Sequence, residues 1–191
     1  MTESLRHLLT TTEQLIFEKG CKETTLQDII KNSGLSKGAI YHYVRSKDEL
    51  FGLILQVKME EINEKFHQVK DKQHAELEAP LSAIASNFTY LMDEKDVTNQ
   101  IFIYLLGRKD NPIISKKLSE VHEHTNELSV SWIEAGQKAG VIPDSLHVEK
   151  TVSMFITFAY GLRVMSMMNK KETTITMEDY YDFMSNMLHQ S

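Results

Sequence analysis

Residues 24–50, TTLQDIIKNSGLSKGAIYHYVRSKDEL, hold three helix starts around one turn glycine, and few folds accommodate that spacing. Thr25 followed by Asp28 is a capping box, which predicts the start of a first helix. Leu26, Ile29 and Ile30 recur at i, i+3 and i+4, the spacing of one buried helical side. Gly34 ends that helix and admits the left-handed backbone that a sharp turn between helices needs. Ser36 is placed to cap a second helix only about two turns long. Ile40, Tyr43 and Val44 share its inner side, and Lys37, Gly38, Tyr41 and His42 its outer one. Ser46 followed by Glu49 is a second capping box, opening a longer apolar helix at Leu50. The pattern is a helix-turn-helix with a polar second-helix face.

In such a motif the first turn of the second helix enters the major groove and touches base edges. Lys37 stands where it reaches a guanine or a phosphate, and Gly38 beside it lets the backbone approach closely. Tyr41 lies one turn on, where its phenol meets a phosphate and packs on sugar. Thr25 and Lys47, at the starts of the flanking helices, are placed to hold backbone phosphates. A plain surface hairpin in an all-α core is the other reading, but caps, glycine and two-faced helix agree on the motif.

The run SGLSKGAIYHYVRSKDEL resembles the signature of the tetracycline-repressor-like (TetR) family. The likeness covers about the first 50 residues; beyond them it is one of architecture only. It implies DNA contacts at Thr25, Gln27, Ser36, Lys37, Gly38, Tyr41, His42 and Lys47. Val44 stands where the family usually has Phe, and Cys21 where an aromatic is common; both substitutes still pack.

A net charge of −6 looks wrong for a DNA binder until it is divided along the chain. Residues 1–50 hold seven Lys and Arg against seven Asp and Glu, so the whole deficit lies after the motif. That argues against unspecific nucleic-acid binding and leaves a focused site intact. The 191 residues suffice for a small DNA-binding domain and a larger core. A single cysteine excludes an intrachain disulfide, and no signal segment or bilayer-length apolar run is visible, so a reduced, cytoplasmic protein without a membrane is expected.

The remaining chain reads as helix, with no alternating strand pattern and no repeat. A first helix spans 4–19 and stops at Gly20; a long one runs from Lys47 to about Lys72. Pro80 opens the next, through Leu81, Ile84, Phe88 and Leu91. Others are expected from Thr98 to about Lys109, from Asn111-Pro112 to about Ala139, and over 147–169 and 176–189. The expected fold is all-α: a helix-turn-helix domain over 1–46 and a larger helical effector-binding and dimerisation domain over 47–191. The segment TVSMFITFAYGLRVMSMM is apolar around most of its circumference, so it needs cover on more than one side. Its own core supplies one; a second copy supplies the other, through 147–169 and 176–189, as the family resemblance also implies. One thick core without dimerisation is the other arrangement.

No catalytic constellation is visible: no phosphate loop, cysteine pair, HExxH or serine elbow. No metal or cofactor is expected. His122 and His124 are two apart and point to different sides of a helix; Glu120 with His124 makes only two ligands. Phe88, Met92, Phe102, Trp132, Phe155 and Phe158 are candidates for lining a small-molecule pocket, although each also suits an ordinary core. The resemblance implies an effector site in this half. The expected function is a regulator, not an enzyme: a ligand-responsive repressor that a small molecule releases from a near-palindromic DNA operator. A helical protein-interaction adaptor without specific DNA binding is the alternative.

Overall fold

The computed structural model describes residues 1–70, 89–168 and 175–189. Among these there is no strand. The helices are α1 (Glu3–Glu23), α2 (Leu26–Ser33), α3 (Lys37–Tyr43), α4 (Lys47–Lys70), α5 (Val97–Leu106), α6 (Pro112–Lys138), α7 (Val148–Met168) and α8 (Met177–His189), with a 3₁₀ turn at Thr89–Met92. The expected helix opened by Pro80, including Phe88, falls outside the described residues up to Thr89.

Two compact units divide the chain. One comprises Met1–Val57 and Glu94–Val121, the other Lys58–Asp93 and His122–Ser191. The sequence reading did not group 94–121 with the N-terminal residues.

In the first unit the caps form where local spacing placed them. Thr25 accepts from Asp28 N while Asp28 accepts from Thr25 N, closing the box that starts α2. Gly34 takes the left-handed backbone (φ 65°, ψ 3°) at the end of α2, and Ser36 caps α3 by accepting from Ala39 N. At α4 Ser46 accepts from Glu49 N, but the Glu49 carboxylate accepts from Arg45 N instead of reaching Ser46, so the second box is skewed by one residue. Gly20 breaks the helical backbone inside α1 (φ 79°, ψ 165°), as its expected stop requires, and one further turn follows before Thr24. Leu8, Ile16, Ile29, Ile40, Leu50, Phe51, Ile101 and Leu105 are fully buried, and α1 packs on both α2 and α5.

The second unit is built on Met59, Ile62, Phe66, Leu91, Trp132, Ile133, Val152, Ile156, Leu162, Tyr180, Met184 and Leu188. Trp132 donates its indole N–H to Asn63 at 2.8 Å, which satisfies the polar edge of the ring. Phe158 stacks against Tyr180 and Phe183, with ring centroids 5.1 and 4.8 Å apart, joining α7 to α8. Thr176 and Asp179 form the expected capping box at the start of α8.

One expectation needs correction. The α7 helix, 21 residues from Val148 to Met168, is long and apolar enough to cross a membrane by length and composition alone. Glu149 and Lys150 stand at its start and Arg163 inside it, so no uninterrupted apolar run of bilayer length shows in the sequence. In the fold it buries Val152, Ile156 and Leu162, together with Arg163, whose guanidinium lies over the Tyr90 ring.

The Gly34 cap gives a clean test of the turn. A Cβ there meets nothing within 4 Å, so Gly34→Ala is penalised only by the left-handed backbone. It is expected to destabilise the protein by about 1–2 kcal/mol, read as a lower denaturant midpoint with an unchanged m-value.

Candidate nucleic-acid interface

The α3 helix separates structural from presented residues along its own length. Ile40 is fully buried and Val44, its C-cap, is 4% exposed. Ser36, Lys37, Gly38, Tyr41 and His42 are all exposed, so the side expected to face DNA is open in the fold. The Lys37 ammonium lies 5.6 Å from the centre of the Tyr41 ring, a cation–π placement that holds charge and phenol together. Thr25 and Gln27 are exposed on the first turn of α2. The Thr25 hydroxyl donates to Asp28 at 2.5 Å, so its proton is already committed to the capping box.

Asp28 is the electrostatic hinge of that box. The Lys19 ammonium, 2.7 Å away, and then Thr25 hold its carboxyl well below the usual carboxylate range. A depressed folded pKa contributes stability above the ordinary carboxylate range and loses it as pH falls through the folded value. The capped start of α2 is therefore intact at neutral pH.

Lys47 stands apart from the other expected contacts. Its ammonium donates to the carbonyls of Cys21 (2.9 Å), Lys22 (3.0 Å) and Thr24 (2.7 Å), all at the end of α1. The structure thus brings seven of the eight expected residues to exposed positions and turns the eighth inward.

Other contacts holding the motif carry no local sequence signal. The Tyr43 hydroxyl pairs with Thr2 Oγ1 at 3.1 Å, and Thr2 caps α1. His7 Nε2 lies 2.9 Å from the Ser33 carbonyl at the end of α2. Arg108 forms an ion pair with Asp48 at 3.4 Å and donates to the Tyr104 hydroxyl. Cys21 is buried, and burial pushes its thiol up to about 11, which makes it a packed side chain at neutral pH.

The expected pocket residues that are described are divided between the two units. Trp132 belongs to the core of the second unit, and Phe155 and Phe158 pack against it. Met92 is half-buried in the 3₁₀ turn. Phe102 belongs to the first unit instead, and Phe88 lies outside the described residues. Of the acidic and histidine cluster on α6, Glu120 pairs with Lys117 at 2.5 Å, His124 with Glu60 at 2.9 Å, and His122 with the Tyr160 hydroxyl at 3.2 Å.

Comparison with known proteins agrees with this geometry. The family model "Bacterial regulatory proteins, tetR family" matches residues 8–54, which hold α1 to α3 and the start of α4. The match covers residues 8–54, and it is this helix-turn-helix segment that resembles the TetR family. It is similar to the transcriptional repressor KstR2 of Rhodococcus jostii, 27% identical over 154 residues, covering 74% of this chain and 69% of the relative. It also resembles the repressor NemR of Escherichia coli, 40% identical over 53 residues, covering 28% of this chain and 26% of that one. Over whole structures, a TetR regulator from Haloarcula marismortui superposes with a TM-score of 0.70 at 19% identity, covering 98% of this chain and 97% of the other. Reduced E. coli NemR superposes with a TM-score of 0.68 at 16% identity, covering 97% of each chain. The fold is thus the all-helical TetR fold, and the chain is a helix-turn-helix transcriptional regulator. Members of the family bind DNA operators and small-molecule effectors and act as dimers.

Gly38 separates folding from DNA contact. It is helical, and a Cβ there meets only Ser36 Oγ, at 4.0 Å. Gly38→Ala is expected to raise stability by up to about 1 kcal/mol, since alanine favours helix. On the expectation that Gly38 faces DNA, the added methyl should weaken operator binding about tenfold, a difference of about 1.4 kcal/mol. Thermal melts and binding isotherms on one preparation check both signs.

Proposed function

We propose that this chain is a repressor that two copies hold on a near-palindromic operator and that a small molecule releases. The observation that carries the reading is the division within α3: Ile40 and Val44 buried, Lys37, Gly38, Tyr41 and His42 open. Both relatives described above are repressors by name. In the proposal, Lys37 and His42 touch base edges, Gly38 admits the backbone, Gln27, Ser36 and Tyr41 hold phosphates, and Thr25 sets the first turn of α2 through its capping box.

Residues 1–46 read DNA in this scheme, and 47–191 hold the effector and the second copy. The dimer reading draws support from α7. Met154, Gly161, Met165 and Met168 are exposed, with half-buried Phe158 between them, at alternating steps of three and four residues. That is the spacing of a helix–helix seam, and the exposed methionines gain cover when a second α7 and α8 pack on them. Two recognition helices then lie about 34 Å apart, one turn of DNA, and match two half-sites.

Effector binding lowers DNA affinity by its differential preference for a second arrangement of the dimer. Support for the link comes from α5, which lies beyond the motif in sequence yet packs on α1 within the same compact unit. The aromatic core of the second unit suits an effector with an apolar body.

Selection of bound duplexes from a random pool tests the reading. A near-palindrome should be enriched, and Lys37→Ala should relax base preference at one position of each half-site. Tyr41→Phe should weaken all sequences alike. Absence of any enriched sequence would remove the DNA-reading function and favour a protein-interaction adaptor.

A further inference from the structure

We propose that Lys47 is a positioning residue that clamps together the two ends of the helix-turn-helix, in place of the phosphate contact that sequence resemblance assigns to it. The inference rests on the DNA-reading function proposed above. The motif starts after Thr24, the C-cap of α1, and ends at Ser46, just before α4. Lys47 is the first residue beyond that end, and its ammonium donates to Cys21, Lys22 and Thr24, the last carbonyls before the start. One side chain therefore closes the whole α2–turn–α3 segment into a ring.

The chemistry of the partners suits a clamp. An ammonium has three protons and no acceptor, so three carbonyl partners use its full donor capacity. A hydrogen bond to phosphate requires one of these to break. Carbonyls at a helix end lack intrahelical partners and carry the negative end of the helix dipole, so a cation there is stabilised. Gly20 interrupts α1 just upstream, which leaves the following turn in need of an external donor.

Aromatic rings wall the ammonium. Its nitrogen lies 5.9 Å from the Phe51 ring centre and 5.4 Å from that of Tyr104 on α5. Arg108 braces the wall by bonding the Tyr104 hydroxyl and pairing with Asp48. The Lys47 side chain is half-buried, and burial lowers its pKa first of all, with the neighbouring Asp48 charge opposing. The cage also explains lysine over arginine. Three protons on one tetrahedral nitrogen reach three carbonyls around a point, whereas a planar guanidinium does not.

A clamp and a phosphate contact make opposite predictions. Loss of a clamp lets α2 and α3 shift against α1, which spoils base register and spares the sequence-independent attraction to phosphates. Loss of a phosphate contact weakens every duplex alike.

The test measures dissociation constants of the full chain for the selected operator and for a scrambled duplex of equal length, across a salt series. All measurements stay below the melting temperature of each variant. Lys47→Met and Lys47→Arg are both expected to bind the operator about tenfold more weakly, with scrambled-duplex affinity within twofold of wild type. Lys47→Met should also leave the salt slope unchanged. Equal weakening of both duplexes by Lys47→Met, a slope shallower by about 2 per dimer, and rescue by Lys47→Arg would overturn the inference in favour of a phosphate contact. A lower melting temperature with both affinities unchanged would overturn it in favour of a purely structural role. If Lys47→Met does not fold, Lys47→Arg carries the comparison, since it retains the charge and loses only the geometry. Wild-type protein that fails to prefer the operator would overturn the DNA-reading function, and this inference with it.

Discussion

A helix of seven residues does not persist in water on its own hydrogen bonds, so whatever Lys37–Tyr43 offers to DNA depends on what holds it in place. The holding is done from one side. Ile40 and Val44 sink into the core of the first unit, Ser36 caps the start, and the Tyr43 hydroxyl ties the end to Thr2 at 3.1 Å. Because the inner residues carry the packing, the outer ones are spared it, and a lysine, a glycine, a tyrosine and a histidine can stand together on the exposed side. Supports of this kind recur around the motif: His7 at the Ser33 carbonyl, Asp28 inside its capping box, and the Lys47 ammonium at the end of α1.

The same constraint gives the acidic remainder of the chain its place. A reader whose base contacts depend on a rigid face needs little net positive charge, and a total of −6 suppresses indiscriminate attraction to DNA. The second unit is organised differently, around Trp132, Tyr180 and stacked phenylalanines, with a buried Arg163 against Tyr90. Met154, Met165 and Met168 stand exposed along α7. The residues that match the TetR family model, 8–54, share one compact unit with α5 from the later chain.

Legibility followed sequence distance. The caps at Thr25, Ser36 and Thr176 and the left-handed Gly34 were readable because each is decided within about four residues. The partners of Lys47 lie 23 to 26 residues away, so only the folded chain shows that its ammonium turns inward. The skewed box at Glu49 has the right spacing and the wrong acceptor geometry, a difference of one residue that periodicity does not resolve. Phe102 lies in the first unit and Phe155 and Phe158 in the second, a division that aromatic content does not reveal. The apolar length of α7 was passed over because its inward and outward residues alternate at helical spacing, and Arg163 interrupts the run.

The central claim is that two fixed copies of α3 read DNA one helical turn apart. Changing the distance between half-sites of the selected operator tests it most directly, because the protein is unaltered and only the geometry of the partner moves. Insertion of about five base pairs rotates one half-site to the opposite face of the duplex and should reduce affinity to that of a scrambled sequence. Binding that is unchanged by the insertion would contradict the account.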